Sequence, residues 1–157
     1  MWSKTEDYLN QVYYARSNIR RLLRRLSDVK FEYERDMDAC RVTQYDVVTK
    51  KRKTKSSPVE KAVILIVNKH GRRVGEMEDE ITGWEAVLAD VKRTVELTEL
   101  DCREKEYVRL RYFENKSADS TAQSMNYSVE QARRIKRSAL RKIENTINDN
   151  NMTENDR

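Results

Sequence analysis

The stretch YSVEQARRIKRSALRKI, residues 127–143, holds six Lys or Arg and a single acid. Cations at this density suit a polyanion, because each phosphate they meet releases condensed counterions. Arg can fork onto guanine, Gln can pair with adenine and Glu can accept from cytosine. Glu130, Gln131, Arg133, Arg134 and Arg137 therefore form a candidate base-reading set. Lys116, Ser117, Ser128, Lys136 and Arg141 form a candidate phosphate-contacting set around them, by charge or by place at a helix start. Beneath the charges Val129, Ala132, Ile135, Ala139, Leu140 and Ile143 recur at helical spacing, so one face is made to dock on protein. The plain alternative is the solvated face of an ordinary amphipathic helix, which composition alone does not separate from a DNA reader.

What positions such a helix is legible just upstream. Asp101 and Glu104 can cap a first short helix carrying Tyr107, Val108, Leu110, Tyr112 and Phe113. Residues 114–116, E-N-K, read as a turn, and Ser117 caps a second helix of about two turns. Asn126 and Tyr127 make the next turn, Asn being tolerant of left-handed geometry. Ser128 caps the third helix, over 128–143, and Gln131 closes its capping box. A short helix, a tight turn and a basic helix form a helix-turn-helix, whose last helix enters the major groove with its N-terminal residues at the base edges.

A second basic cluster, KKRKTK, supplies Lys50, Lys51, Arg52, Lys53 and Lys55. It lies in an aperiodic stretch, residues 40–57, and is a candidate nucleic-acid arm, a clamp on RNA polymerase, or a solvated loop. Two long helical patterns flank it. The first, over about residues 4–39, reads Leu9, Val12, Arg16, Ile19, Leu23, Leu26, Lys30, Tyr33, Met37, a heptad seam with two charged interruptions. The second opens at Ser57-Pro58-Val59-Glu60, a cap, a proline at the first helical position and a capping-box acid. Its seam runs Val59, Val63, Ile66, His70, Val74, Met77, Ile81, Trp84, Leu88, Val91, Val95. Gly71 and Gly75 predict a bend or break. The two helices suggest an antiparallel hairpin, with pairing between two copies of the chain as the alternative.

The bulk numbers agree with an all-α chain. Apolar and charged residues each make up 38%, which suits long helices with narrow buried seams, and three Gly and one Pro leave few hairpin turns. Two distant cysteines, one His and no CxxC exclude a zinc site, and no cofactor is expected. His70 reads as a structural seam residue. Glu78, Asp79 and Glu80 diverge around a helix and are surface charge, not acid-base machinery. No phosphate loop or nucleophile motif appears, so the chain does not read as an enzyme. The longest apolar run, residues 62–67, is too short to span a bilayer, and the N-terminus is too polar for a signal peptide, so a cytoplasmic location is expected. The organisation expected is 1–98 for the long helices with an oligomerising or polymerase-contacting role, 99–148 for the helix-turn-helix, and 149–157 for an Asn-rich, disordered tail.

The residues E104-K-E-Y-V-R-L-R-Y112, S117-A-D-S-T-A-Q-S-M-N-Y-S128 and V129-E-Q-A-R-R-I-K-R-S-A-L-R-K-I143 resemble the C-terminal domain of bacterial sigma factors, which reads the promoter minus-35 element. By that resemblance Glu130, Arg133 and Arg134 fall at base-contacting positions. The family usually has Gly after the Tyr of its first helix and in the helix-turn-helix turn, where this chain has Phe113 and Asn126. The whole chain is similar to the ArpU/RinA family of phage-encoded transcription regulators, through S57-P-V-E-K-A-V63, the segment 81–98 and the Arg-Ile-Lys-Arg of 134–137. That similarity implies a sequence-specific activator of phage or prophage late genes, such as packaging and lysis genes, acting on double-stranded DNA in a bacterial host. The competing readings are a small terminase subunit and a helical adaptor whose basic helix binds an acidic partner.

Overall fold

A computed structural model describes the backbone over residues 4–47 and 58–155, and side chains over 4–41 and 59–150. The protein is all-α, as expected, with five α-helices among the described residues: α1 Lys4–Val47, α2 Pro58–Leu97, α3 Cys102–Val108, α4 Ala118–Ser124 and α5 Val129–Asn155. A π turn, Arg109–Phe113, extends α3. The chain divides into two compact units, one of residues 1–17 with 84–157, the other of residues 18–83. The first turns of α1 and the last turns of α2 are grouped with the helix-turn-helix in the first unit.

The first unit has one core. Leu9 and Val12 of α1, Val91 of α2, Leu100, Tyr107, Val108 and Tyr112, Ala122 of α4, and Ala132, Ala139, Leu140 and Ile143 of α5 are all buried together. Short helices are marginal alone and are held by such packing. The apolar stripe beneath the charges of α5 is therefore the docking face foreseen from its spacing, apart from Val129, which is exposed.

In the second unit the two long helices run antiparallel, with Glu32 against Arg73 and Asp36 against His70. Leu22, Val29, His70 and Met77 are buried, with Ile19, Leu26, Tyr33, Ile66, Val74 and Ile81 partly so. The α2 seam is the expected one. The α1 seam is shifted by one residue at three places: Ala15, Leu22 and Val29 are buried where Arg16, Leu23 and Lys30 were expected, and those three are exposed. From Val12 to Tyr33 the shifted seam alternates threes and fours, and it avoids both charged interruptions, so burial cost decides the phase. His70 is a seam residue, 2% exposed, with Nε2 3.1 Å from Asp36 Oδ2 and its ring edge-on to Tyr33.

Three expected boundaries move. α1 continues past residue 39 to Val47, α2 runs unbroken through Gly71 and Gly75, and α5 runs to Asn155 rather than ending at 143. Glycine costs a helix about 1 kcal/mol, which the surrounding seam residues outweigh. The basic run 50–55 and Ser57 lie outside the described residues.

Candidate nucleic-acid interface

Each start in the helix-turn-helix is closed by the side chain expected there. Asp101 accepts from the Glu104 amide at 2.8 Å while Glu104 Oε2 accepts from the Asp101 amide at 2.9 Å, a complete capping box. Ser117 Oγ accepts from the Ser120 amide at 3.1 Å. Ser128 Oγ accepts from the Gln131 amide at 3.2 Å, and Gln131 Oε1 accepts from the Ser128 amide at 3.0 Å.

The two turns both use asparagine. Asn126 has φ of 57°, and the amides of Asn126 and Tyr127 donate to the carbonyls of Gln123 and Ala122, each at 3.0 Å. That is a Schellman ending, which needs a residue tolerant of left-handed backbone just past the helix. The other left-handed residue among those described is Asn115, φ 55°, two positions beyond Phe113. The helix does not stop after Tyr112: it widens into the π turn, with Glu114 N donating to Arg109 O at 2.9 Å. Phe113 thus keeps helical geometry, and the left-handed step falls on Asn115 instead. Arg16 of α1 donates to the Phe113 carbonyl and lies over its ring, 5.9 Å from the centroid, satisfying a helix-end acceptor.

Two buried carboxylates anchor the basic helix. Glu104, only 3% exposed, accepts from Ser138 Oγ at 2.6 Å and Lys142 Nζ at 2.7 Å. Burial pushes its carboxyl up, but the bonds from Lys142, Ser138 and the Asp101 amide outweigh that and hold it below the ordinary range. Lys142 is correspondingly raised, chiefly by its bond to Glu104. Glu6 of α1 lies 2.8 Å from Lys136 Nζ and accepts from Tyr112 Oη at 3.2 Å. Burial and the neighbouring Glu6 push the Tyr112 hydroxyl far up. Tyr8 ties α1 to α2 through Asp90 at 2.6 Å and Thr94 at 2.9 Å, and burial followed by Asp90 pushes its pKa up to about 12.

With the helix so held, Arg133, Arg134, Arg137 and Glu130 stand together on its outer face, their side chains 57–75% exposed. Arg141 is also exposed. Gln131 is exposed, but its amide oxygen is engaged in the capping box; a two-point bond to adenine would require that box to open. Lys116 is half-buried, with Nζ 3.1 Å from Ser124 Oγ and 3.6 Å from Glu114. The hydroxyls of Ser117 and Ser128 are committed as caps, leaving backbone amides as the helix-start donors. Lys136, of the expected phosphate set, has a side chain 13% exposed and paired with Glu6, which braces the back of the helix. Residue spacing hid this, because Lys136 sits on the rim of the docking stripe and its partner is 130 residues away. Glu6, Glu104, Ser138 and Lys142 likewise lie too far apart in the sequence for spacing to group them.

Among the described residues no group of three His, Cys, Asp or Glu is placed to hold a metal ion, and no helix is long and apolar enough to cross a membrane. No curated protein and no solved structure matches the chain. Residues 97–145, about a third of the chain, match the family model described as Sigma-70, region 4, and this segment is a sigma-like, DNA-binding helix-turn-helix.

Proposed function

We propose that the protein is a sequence-specific transcription regulator that reads a promoter-proximal site in double-stranded DNA with the N-terminal half of α5. The observation that carries this is the division of one helix into two faces: a buried stripe from Ala132 to Ile143, and an outer face holding Arg133, Arg134 and Arg137. In this reading Arg133 and Arg134 contact base edges, Arg137 and Glu130 complete the reading face, and Arg141 meets a phosphate. The similarity to phage regulators makes activation of phage or prophage late genes in a bacterial cytoplasm its biological setting. Host RNA polymerase and a second copy of the chain are the protein partners this role calls for. The basic run Lys50, Lys51, Arg52, Lys53 and Lys55 then adds sequence-independent grip.

A small terminase subunit, or an adaptor for an acidic protein, would use the same module differently. Genome-wide footprinting in the host with Arg133→Ala as control separates them. Sharp Arg133-dependent sites at promoters support the regulator, occupancy at a packaging site supports the terminase, and no enrichment supports the adaptor. On the cognate site Arg133→Ala or Arg134→Ala costs about 1–3 kcal/mol and relaxes specificity at the position each reads.

A further inference from the structure

We infer that Glu130 is a specificity gate on α5, holding the reading arginines in the free protein so that arbitrary phosphates must compete for them. The inference rests on the DNA-reading assignment above. Glu130 Oε2 lies 3.7 Å from Arg133 Nη1, and Oε1 lies 3.9 Å from Arg134 Nε and 3.7 Å from Arg137 Nη2. The three guanidiniums follow the acid by three, four and seven residues, one helix face, in the order that favours the pairing. Glu130 is also the single acid between residues 128 and 143, amid six cations.

All four side chains are well exposed, so each pair is weak and screened by salt. That weakness suits a gate. A duplex that offers a base-edge donor to the carboxylate loses nothing when the arginines turn to it. A duplex that offers none leaves the carboxylate unpaired, with its cations withdrawn. Glu130 thereby penalises every sequence except those that give it a partner, which is discrimination built from a charge left without its partners. Gln131 adds to the same restraint, since the capping box keeps its amide oxygen from a base until a site repays the loss.

The test measures affinity and salt dependence for a random-sequence duplex and for an operator selected from a random pool, using the full chain. Variants are Glu130→Gln, Arg133→Ala/Arg137→Ala, the triple combination, and Glu144→Gln as an equal charge change further along α5. Glu130→Gln should tighten random-duplex binding roughly three- to tenfold, steepen the salt slope by about one, and lower the operator-to-random ratio. Most of that gain should vanish in the Arg133→Ala/Arg137→Ala background, and Glu144→Gln should give none of it. An equal gain in both backgrounds would mean plain charge repulsion and overturn the gate, as would no gain on random DNA. Wild-type protein that binds neither duplex would instead overturn the DNA-reading assignment itself.

Discussion

The two compact units solve the problem of holding helices together in different ways. In the DNA-binding unit, α3, α4 and α5 each begin at a capping side chain, and the buried carboxylates Glu6 and Glu104 each meet a lysine of α5. In the helix pair of residues 18–83, ties across the seam among the described residues include Glu32–Arg73 at 2.7 Å and Asp36–His70 at 3.1 Å, each with a partly exposed member. Seven-residue helices cannot stand on propensity and a stripe alone, so they are fixed end by end. Helices of 40 residues and more can rely on a long apolar seam, and they tolerate glycine and uncertain phase. Precision is thus concentrated where a recognition helix has to be aimed.

The largest expected effect tests whether α1 belongs to the DNA-binding unit. Leu9→Ala, at a fully buried site, should cost about 2–5 kcal/mol in urea unfolding and reduce DNA affinity. Leu22→Ala, equally buried in the other unit, should cost a similar amount in stability while leaving affinity for random duplex unchanged. Equal loss of binding in both variants would break the contrast.

Next in size is the Glu104 anchor. Glu104→Ala removes the partner of a capping amide, Ser138 and Lys142, and should cost about 1–3 kcal/mol by thermal or urea unfolding. Its pH signature is two-sided. Glu104 is shifted down, so its contribution is complete above the ordinary value of 4.5 and is lost as pH falls through the depressed pKa. Lys142 is shifted up, so its contribution is complete below 10.5 and is lost as pH rises through the raised one. Glu104→Gln should flatten the acid limb in a pH series of unfolding curves. In the helix pair, Arg73 and His70 likewise lower Glu32 and Asp36, so acid weakens that unit too, but through exposed groups screened by solvent.

A smaller effect sharpens the account of the turns. Asn126→Ala should cost about 1 kcal/mol because of its left-handed backbone, whereas Asn126→Gly should fall within a few tenths of wild type, both by thermal unfolding. The smallest changes should be gains. A side chain added at Gly71 or Gly75 meets nothing within 4 Å, so Gly→Ala at either should raise unfolding stability by about 0.4–1 kcal/mol. A loss there would mean that the glycines serve close approach to another surface.

The legible parts of this chain were those written locally. Caps at Asp101, Ser117 and Ser128, the left-handed Asn126 and the stripe of α5 are each encoded within a few residues, and each stands where its spacing places it. The α2 seam was legible for the same reason. What spacing could not give was partnership at long range. Arg16 and Lys136 look like free surface cations until Phe113 and Glu6 are brought to them. Nor could a heptad pattern choose between Leu22 and Leu23, because both are apolar; the charges at Arg16 and Lys30 were the available clue, and they favoured the other phase. The π turn at Arg109–Phe113 left no signal beyond the absence of glycine after Tyr112.

The central claim is that the outer face of α5 reads base sequence. Its most direct test is selection of duplexes from a random pool by the full chain, with Arg133→Ala and Arg134→Ala carried through in parallel. The account predicts one enriched motif for the wild type, with each variant relaxing one or two positions of it and retaining the rest. A pool that stays random, or variants that lose the whole motif and random DNA alike, would contradict it.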